Sequence, residues 1–186
     1  MRFGLHHELH DPQLKLGFSG VLDQLREQVA LVEKLGFSGV WLGEHHLGPE
    51  GLSNTPNPIL LCADMAVRTK VDHIGLACVM TPTWHPIRLA EDLAILDHLT
   101  QGRLQVGFGR GVFHRDTIPF HAKADPRDEE SSRALTTEVI DIVTQAWQEE
   151  FFSYKGNHYS FPPDGIPHHP WSPTEEPYVS NNGNIS

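Results

Sequence analysis

The chain has 186 residues and a formal net charge of −10, and 39% of its residues are hydrophobic. This length is enough for one domain with a sizeable core, and the acidic balance excludes nucleic acid and anionic membranes as expected partners, because phosphate binding needs clustered lysine and arginine. The N-terminus has no long apolar segment of the signal-peptide kind and no stretch is long enough to span a membrane, so the sequence predicts a cytoplasmic protein.

The chain has two cysteines and thirteen histidines, residue types that can bind metals or, for cysteine, take part in redox chemistry. Cys62 and Cys78 lie in apolar surroundings without a C-x-x-C spacing, which is typical of reduced core residues. The histidines are numerous for this length and need an explanation.

Segments with strand character alternate with segments of helical periodicity. The predicted strands cover residues 2–5, 37–42, 72–80 and 103–108. The predicted helices cover residues 19–35, 58–69, 86–99 and 128–149. Gly36 stands where a C-cap glycine belongs, and Asn57 followed by Pro58 is typical of a helix N-terminus. Strands that alternate with helices predict right-handed βαβ units and a parallel sheet, and hence an α/β fold.

The pattern changes near residue 150. Residues 151–177 are rich in Pro, Gly, His and aromatic residues, and we expect an irregular excursion with a small hairpin around the turn at 155–157. Residues 178–180 resemble the start of a fifth strand. A closed eight-stranded barrel typically takes about 250 residues, so we expect residues 1–186 to form one domain that is the front part of a longer barrel.

Two predicted strands end in polar side chains. Val40-Trp41-Leu42 leads into Glu44, His45 and His46, and residues 105–108 lead into Gly109 and Arg110. In an α/β barrel, reactive side chains lie at the C-terminal ends of the strands. The sequence therefore predicts proton-transfer groups on one side of a site. On the other side, an arginine among glycines is suited to bind a phosphate.

Five motifs in this order resemble the bacterial luciferase-like flavin-dependent monooxygenase family. They cover residues 37–46, 81–92, 96–103, 107–111 and 154–159. The resemblance implies a TIM (β/α)8 barrel, of which this chain holds the first four to five βα units. It implies reduced FMN as cofactor, or in some branches F420, with O2 and a small organic substrate. It also implies a separate flavin reductase, and a homo-oligomer or a partner subunit that pairs through the second and third helices.

The resemblance further implies two catalytic residues. His45 matches the family's active-site histidine, which resembles a proton-transfer group beside the flavin; Glu44 would set its tautomer or anchor the loop, and His46 would be structural. The chemistry agrees, because a flavin that reacts with oxygen needs a switchable imidazole and shelter from water.

Five residues are expected to contact the cofactor. Ala77 and Cys78 match small residues that lie against the flavin ring in the family, often joined by a non-proline cis peptide. Arg110 resembles an FMN phosphate contact. Gly109 stands where bacterial luciferase has a reactive cysteine, so light emission is not expected. Asn182 falls where the family has residues that hold the phosphate and the ring edge.

Three other interpretations stay open on the residues alone. Residues 44–46 are also consistent with a structural hydrogen-bond cluster. Together with His6, His7 and His10 they offer imidazole and carboxylate ligands for a metal-dependent hydrolase on the same fold. A non-catalytic half-barrel that serves as a partner subunit is the third.

Overall fold

The centre of the fold is a four-stranded sheet in which every pairing is parallel. A computed structural model describes residues 1–48, 51, 53, 55–149 and 152–161. The strands lie side by side in chain order and are β1 (Gly4–His7), β2 (Gly39–Leu42), β3 (His73–Met80) and β4 (Leu104–Gly109). This order confirms the predicted parallel sheet, and it brings all four C-terminal strand ends to one edge.

The helices connect the strands and cover the sheet. They are α1 (Gly17–Lys34), α2 (Pro58–Ala66), α3 (Pro86–Thr100), α4 (His114–Thr117) and α5 (Glu129–Gln148). The side chain of Asn57 accepts a hydrogen bond from the Leu60 amide, as the predicted N-cap requires. Gly36 has a φ of +73°, as expected of a glycine that follows a helix.

Helix α1 begins before its predicted start at Ser19 because of a capping carboxylate. The amides of Lys15, Leu16 and Gly17 donate to the side chain of Asp11 at 3.0, 2.9 and 2.9 Å. Two of these amides, those of Leu16 and Gly17, lie at the start of the helix, where amides have no intrahelical partner. Asp11 stands too far before the helix to be read as a conventional N-cap.

Strand β1 also differs from its prediction, residues 2–5. In the structure Gly4 pairs with Gly39 and His7 pairs with Leu42, so the strand includes two histidines. β1 is one of the two edge strands of the described sheet, and half of its positions are exposed. Polar side chains are tolerated at such positions, so a prediction based on apolar residues alone places the end of this strand too early.

The hydrophobic core lies between the sheet and the helices. Its fully buried members come mainly from α1, β2, α2, β3, α3 and α5, and include Leu25, Leu42, Met65, Ile74, Leu76, Leu89, Leu93, Leu135 and Ile142. Cys62 belongs to this core, as predicted, but Cys78 is exposed, which corrects the expectation that both cysteines are core residues. No helix among the described residues is long and apolar enough to cross a membrane.

The predicted hairpin is present as β5 (Tyr154–Lys155) and β6 (Ser160–Phe161), which pair antiparallel. Its turn is fixed by Glu138 of α5, whose carboxylate accepts the backbone amides of residues 157, 158 and 159 at 2.8 to 3.2 Å. The predicted fifth strand at 178–180, and the excursion beyond residue 161, lie outside the described residues.

Candidate active site

Residues from three neighbouring strands meet at the C-terminal edge of the sheet. Glu44 follows β2, Cys78 lies near the end of β3, and Arg110 follows β4. Because the strands are parallel and adjacent, these residues share one edge, as the sequence predicts. Asn182 lies outside the described residues, and its role stays a prediction.

The end of β3 departs from regular strand geometry. The peptide bond between Ala77 and Cys78 is cis, as the resemblance implies, and the pairing with β4 shifts register between Ala77 and Val79. Both residues are exposed, although the strand on either side of them is buried. This irregularity takes the side chain of Cys78 out of the core.

Glycines on β4 let strand β3 approach closely. A Cβ atom added at Gly109 would lie 3.0 Å from the Cβ of Cys78, and one added at Gly107 would lie 3.0 Å from the carbonyl oxygen of Leu76. Such close approach is a common reason for glycine inside a strand. The neighbouring ends of β3 and β4 therefore present small side chains and backbone to the edge of the sheet.

Glu44 is a buried carboxylate that ties the loop after β2 to the end of β3. It accepts the Met80 amide at 2.6 Å, the indole N–H of Trp84 at 2.9 Å, and the ring Nε2 of His46 at 2.8 Å. A hydroxyl donor, Thr83, lies at 3.1 Å. A buried charge needs such partners. Of the two functions expected for Glu44, these bonds support anchoring the loop; a catalytic role stays a prediction.

His45 is held by a different carboxylate. Its Nδ1 lies 3.0 Å from Oδ2 of Asp116, whose side chain is only 1% exposed. Asp116 belongs to α4, in the segment after β4, so this bond joins the loops after β2 and β4 across the end of β3. On the other side of the ring, Nε2 lies 3.5 Å from Oε1 of Glu8.

The segment after β1 adds a further polar group to the edge. His6 donates from Nε2 to the carbonyl oxygen of Ala77 at 3.1 Å. Glu8 accepts a bond from the hydroxyl of Ser53 at 2.6 Å and another from His10 at 3.1 Å. The hydrogen bond from Ser53 is the largest of the effects that lower the pKa of the Glu8 carboxyl.

Arg110 lies at the same edge with its side chain 27% exposed. Its guanidinium donates to the carbonyl oxygen of Pro126 at 3.2 Å and lies 3.9 Å from the exposed carboxylate of Glu129. An exposed ion pair of this length is weak. The guanidinium is therefore held by a backbone carbonyl, and its contact with Glu129 adds little.

A pocket of about 330 Å³ borders His45. Its wall is mainly apolar and includes Phe18, Val21, Leu47 and Pro56. One side of the imidazole thus faces a space suited to an apolar group.

Sequence analysis did not identify Asp116 and Glu8. Their positions in the sequence could have identified them. Each lies within seven residues of the C-terminal end of a strand, in a segment that starts at the same edge of the sheet as the candidate site. Of the histidines proposed as metal ligands, His10, His45 and His46 contact carboxylates and His6 bonds to a backbone carbonyl, whereas the buried Nδ1 of His7 has no hydrogen-bond partner among the described residues. Among the described residues, no three His, Cys, Asp or Glu side chains are arranged to hold a metal ion, so the geometry gives the hydrolase interpretation no support.

Comparison with known proteins finds relatives among the monooxygenases. The alkanal monooxygenase alpha chain of the Kryptophanaron alfredi symbiont is 33% identical over 162 residues, which are 87% of this chain and 43% of that protein. The oxygenase component of the flavin-dependent trigonelline monooxygenase of Acinetobacter baylyi is 28% identical, with the same two coverages. The chain thus spans less than half the length of these relatives.

A solved structure supports the fold. The oxygenating constituent of 3,6-diketocamphane monooxygenase from Pseudomonas putida, solved in complex with FMN, superposes with a TM-score of 0.76. It is 22% identical and covers 86% of this chain and 42% of that one. The fold is that of a partial TIM barrel, as predicted. The family of luciferase-like monooxygenases matches residues 1–183, and this chain therefore belongs to that family.

Proposed function

We propose that the C-terminal edge of this sheet binds reduced FMN and serves a monooxygenase reaction on a small organic substrate. The observation that carries the proposal is the convergence of the exposed Ala77–Cys78 peptide, Gly109, Arg110 and His45 at one edge. The relatives add support, since one of them is named flavin-dependent and a structural neighbour was solved with FMN.

The ends of β3 and β4 fit a flat aromatic ring. Gly107 and Gly109 carry no side chain, and Ala77 and Cys78 carry small ones, so this surface has little relief. Arg110 lies beside it and would hold the phosphate of FMN, because a guanidinium forms strong charge-assisted bonds to phosphate oxygens. Bound there, a reduced flavin supplies the electrons that activate O2.

His45 would exchange protons at this edge. Its bond to Asp116 fixes one ring nitrogen and so fixes the orientation of the imidazole. The apolar pocket beside the ring offers space for an apolar part of the substrate. In this proposal Asp116 is a positioning residue, and Glu44 holds the loop from which His45 projects.

A homo-oligomer through α2 and α3 is part of the proposal. These helices expose the large apolar side chains of Leu60, Ile95 and Leu99, and Val67, directly after α2, is exposed as well. Exposed apolar patches of this kind mark interfaces. A separate flavin reductase is the proposed electron source, in keeping with the description of the trigonelline relative as an oxygenase component.

The test is anaerobic titration of the protein with reduced FMN, reduced riboflavin and reduced F420. We expect FMN to bind best, and Arg110→Ala to weaken FMN binding by about 1.5–3 kcal/mol, the range for a hydrogen bond to a charged group. Riboflavin binding should change much less, because riboflavin lacks the phosphate.

The matched control is Arg2→Ala. Arg2 precedes β1 and so lies toward the opposite edge of the sheet, where its loss should leave FMN binding unchanged. Equal losses for FMN and riboflavin in Arg110→Ala would remove Arg110 from the phosphate site. If F420 bound more tightly than FMN, F420 would be the cofactor in place of FMN. If neither bound, the proposed function would be wrong.

A further inference from the structure

We propose that Asp125 is a positioning residue for Arg110, because it shapes the turn from which the carbonyl of Pro126 holds the guanidinium. The inference rests on the proposed function, in which Arg110 binds the phosphate of FMN. Asp125 lies in the segment between α4 and α5 and acts on the flavin site through Arg110. It is therefore a positioning residue and not a catalytic one.

Residues 125–128 form a β-turn directly before α5. The Asp128 amide donates to the carbonyl oxygen of Asp125 at 3.0 Å, which is the bond that closes such a turn. Asp at the first position and Pro at the second are favoured in the commonest type of β-turn. The side chain of Asp125 adds a second bond, since its Oδ1 accepts the Arg127 amide at 3.0 Å. The backbone and the side chain of one residue thus close the turn together.

The carbonyl of Pro126 connects this turn to the candidate site. The bond that closes the turn uses the carbonyl of Asp125, so the carbonyl of Pro126 is left to a partner outside the turn. That partner is Arg110, whose Nη1 donates to the carbonyl oxygen at 3.2 Å. The contact of the guanidinium with Glu129, at 3.9 Å, is weak. The orientation of the guanidinium therefore depends on where the Pro126 carbonyl points.

Both ends of the turn are attached to the body of the protein. Before the turn, Ala124 is fully buried in the hydrophobic core. After it, the side chain of Asp128 caps α5 by accepting the Ser131 amide at 3.2 Å, and α5 packs into the core through residues such as Leu135. The turn has little freedom to move as a whole, so its internal bonds decide the direction of the Pro126 carbonyl.

The guanidinium of Arg127 lies against the same carboxylate. Its Nε donates to Oδ1 of Asp125 at 2.9 Å, and its Nη2 donates to Oδ2 at 2.7 Å. Hydrogen bonds from Arg127 hold the pKa of the Asp125 carboxyl at about 2, so the carboxylate is ionised at neutral pH. The side chain of Arg127 is 65% exposed, and water screens the ion pair. The bond to the backbone amide is therefore the one that shapes the turn.

The test is anaerobic titration of Asp125→Ala with reduced FMN and reduced riboflavin. The variant loses the bond to the Arg127 amide, so FMN should bind about threefold to tenfold more weakly, the factor that corresponds to one hydrogen bond, while riboflavin binding stays unchanged. Charge alone predicts the opposite result for FMN, because the variant removes a negative charge from the side of the proposed phosphate site. Asp125→Asn keeps the acceptor oxygen of the turn and should bind FMN at least as tightly as the unmodified protein.

A double variant and a control separate positioning from a general loss of structure. In the double variant Arg110→Ala, Asp125→Ala, FMN should bind as it does to Arg110→Ala alone, because Asp125 acts through the arginine. The matched control is Asp23→Ala, which removes an exposed carboxylate that pairs with Arg26 at 3.2 Å on α1 and should leave FMN binding unchanged. Additive losses in the double variant would overturn the positioning role.

NMR of the arginine side chains tests the contact without flavin. The guanidinium signals of Arg110 are assigned from Arg110→Lys. In Asp125→Ala its protons should exchange with water faster than in the unmodified protein, and Asp125→Asn should restore the slow exchange. Identical Arg110 signals in the unmodified protein and Asp125→Ala would overturn the inference, whatever the flavin titration gives. If the signals change as expected but Arg110→Ala weakens FMN and riboflavin equally, the phosphate-binding role in the proposed function fails instead.

Discussion

Replacement of Glu44 by alanine should be among the most destabilising single changes in this protein. The carboxylate accepts bonds from the Met80 amide, His46 and Trp84, and the variant leaves these donors without their acceptor. Thr83 is less affected, because its hydroxyl also donates to the Met80 carbonyl at 2.7 Å. Each buried donor left unpaired costs about 1–3 kcal/mol. With the fully buried Met80 amide and His46 as the main losses, we expect about 3–5 kcal/mol.

Urea unfolding followed by tryptophan fluorescence measures this difference. Glu44→Gln keeps the shape of the side chain and one acceptor oxygen, so its free energy of unfolding should fall by only about 1–3 kcal/mol. This variant replaces Glu44→Ala in the test if the alanine variant does not fold. The control is Glu91→Ala, which breaks an exposed pair with Arg88 and should stay within about 0.5 kcal/mol of the unmodified protein. If Glu44→Ala proved as stable as Glu91→Ala, the anchoring role of this carboxylate would be wrong.

Two further predictions concern the hairpin and pH. Glu138→Gln should destabilise the protein by about 1.5–3 kcal/mol and speed hydrogen exchange at amides 157–159, because those amides lose a charged acceptor; unchanged exchange there would contradict the assigned contact. Burial lowers the pKa of His7 and of His121 from 6.5, so the unfolded chain binds these protons more readily than the folded protein does. Their contribution to stability is complete above about pH 6.5 and is lost as pH falls toward the lowered values, so the urea midpoint should drop between about pH 7 and pH 5.5. Replacement of both histidines by asparagine should reduce that drop, and an equal drop would show that other groups cause it.

The sequence was most informative where long apolar segments set the secondary structure. The periodicity around Leu25, Leu93 and Ile142 specifies buried helix faces, and these helices lie where they were predicted. The shared edge of Glu44 and Arg110 followed from topology alone, because the strands are parallel. The bounds of β1 were predicted less accurately. Its two histidines lie on an edge strand, where polar residues are common and the hydrophobic pattern does not mark the strand.

Side-chain partners were harder to predict than positions. Two functions were open for Glu44, to set the tautomer of His45 or to anchor the loop, and sequence alone could not say which side chains it contacts. His46 bonds to Glu44, whereas His45 bonds to Asp116, which is 71 residues away. Cys78 was expected in the core because its neighbours are apolar, and only the irregular pairing of β3 with β4 exposes it.

Protection of the Cys78 thiol tests the central claim, that a flavin lies against the Ala77–Cys78 peptide. The chain has two cysteines; Cys62 is buried, and burial raises the pKa of its thiol, so one fast-reacting thiol is expected, and Cys78→Ala should abolish it. The measurement is the alkylation rate of Cys78 as a function of FMN concentration. The account predicts that the rate falls to a plateau as FMN saturates its site, and that Arg110→Ala shifts this fall to higher FMN concentration. A Cys78 alkylation rate that does not depend on FMN would place the flavin elsewhere and contradict the account.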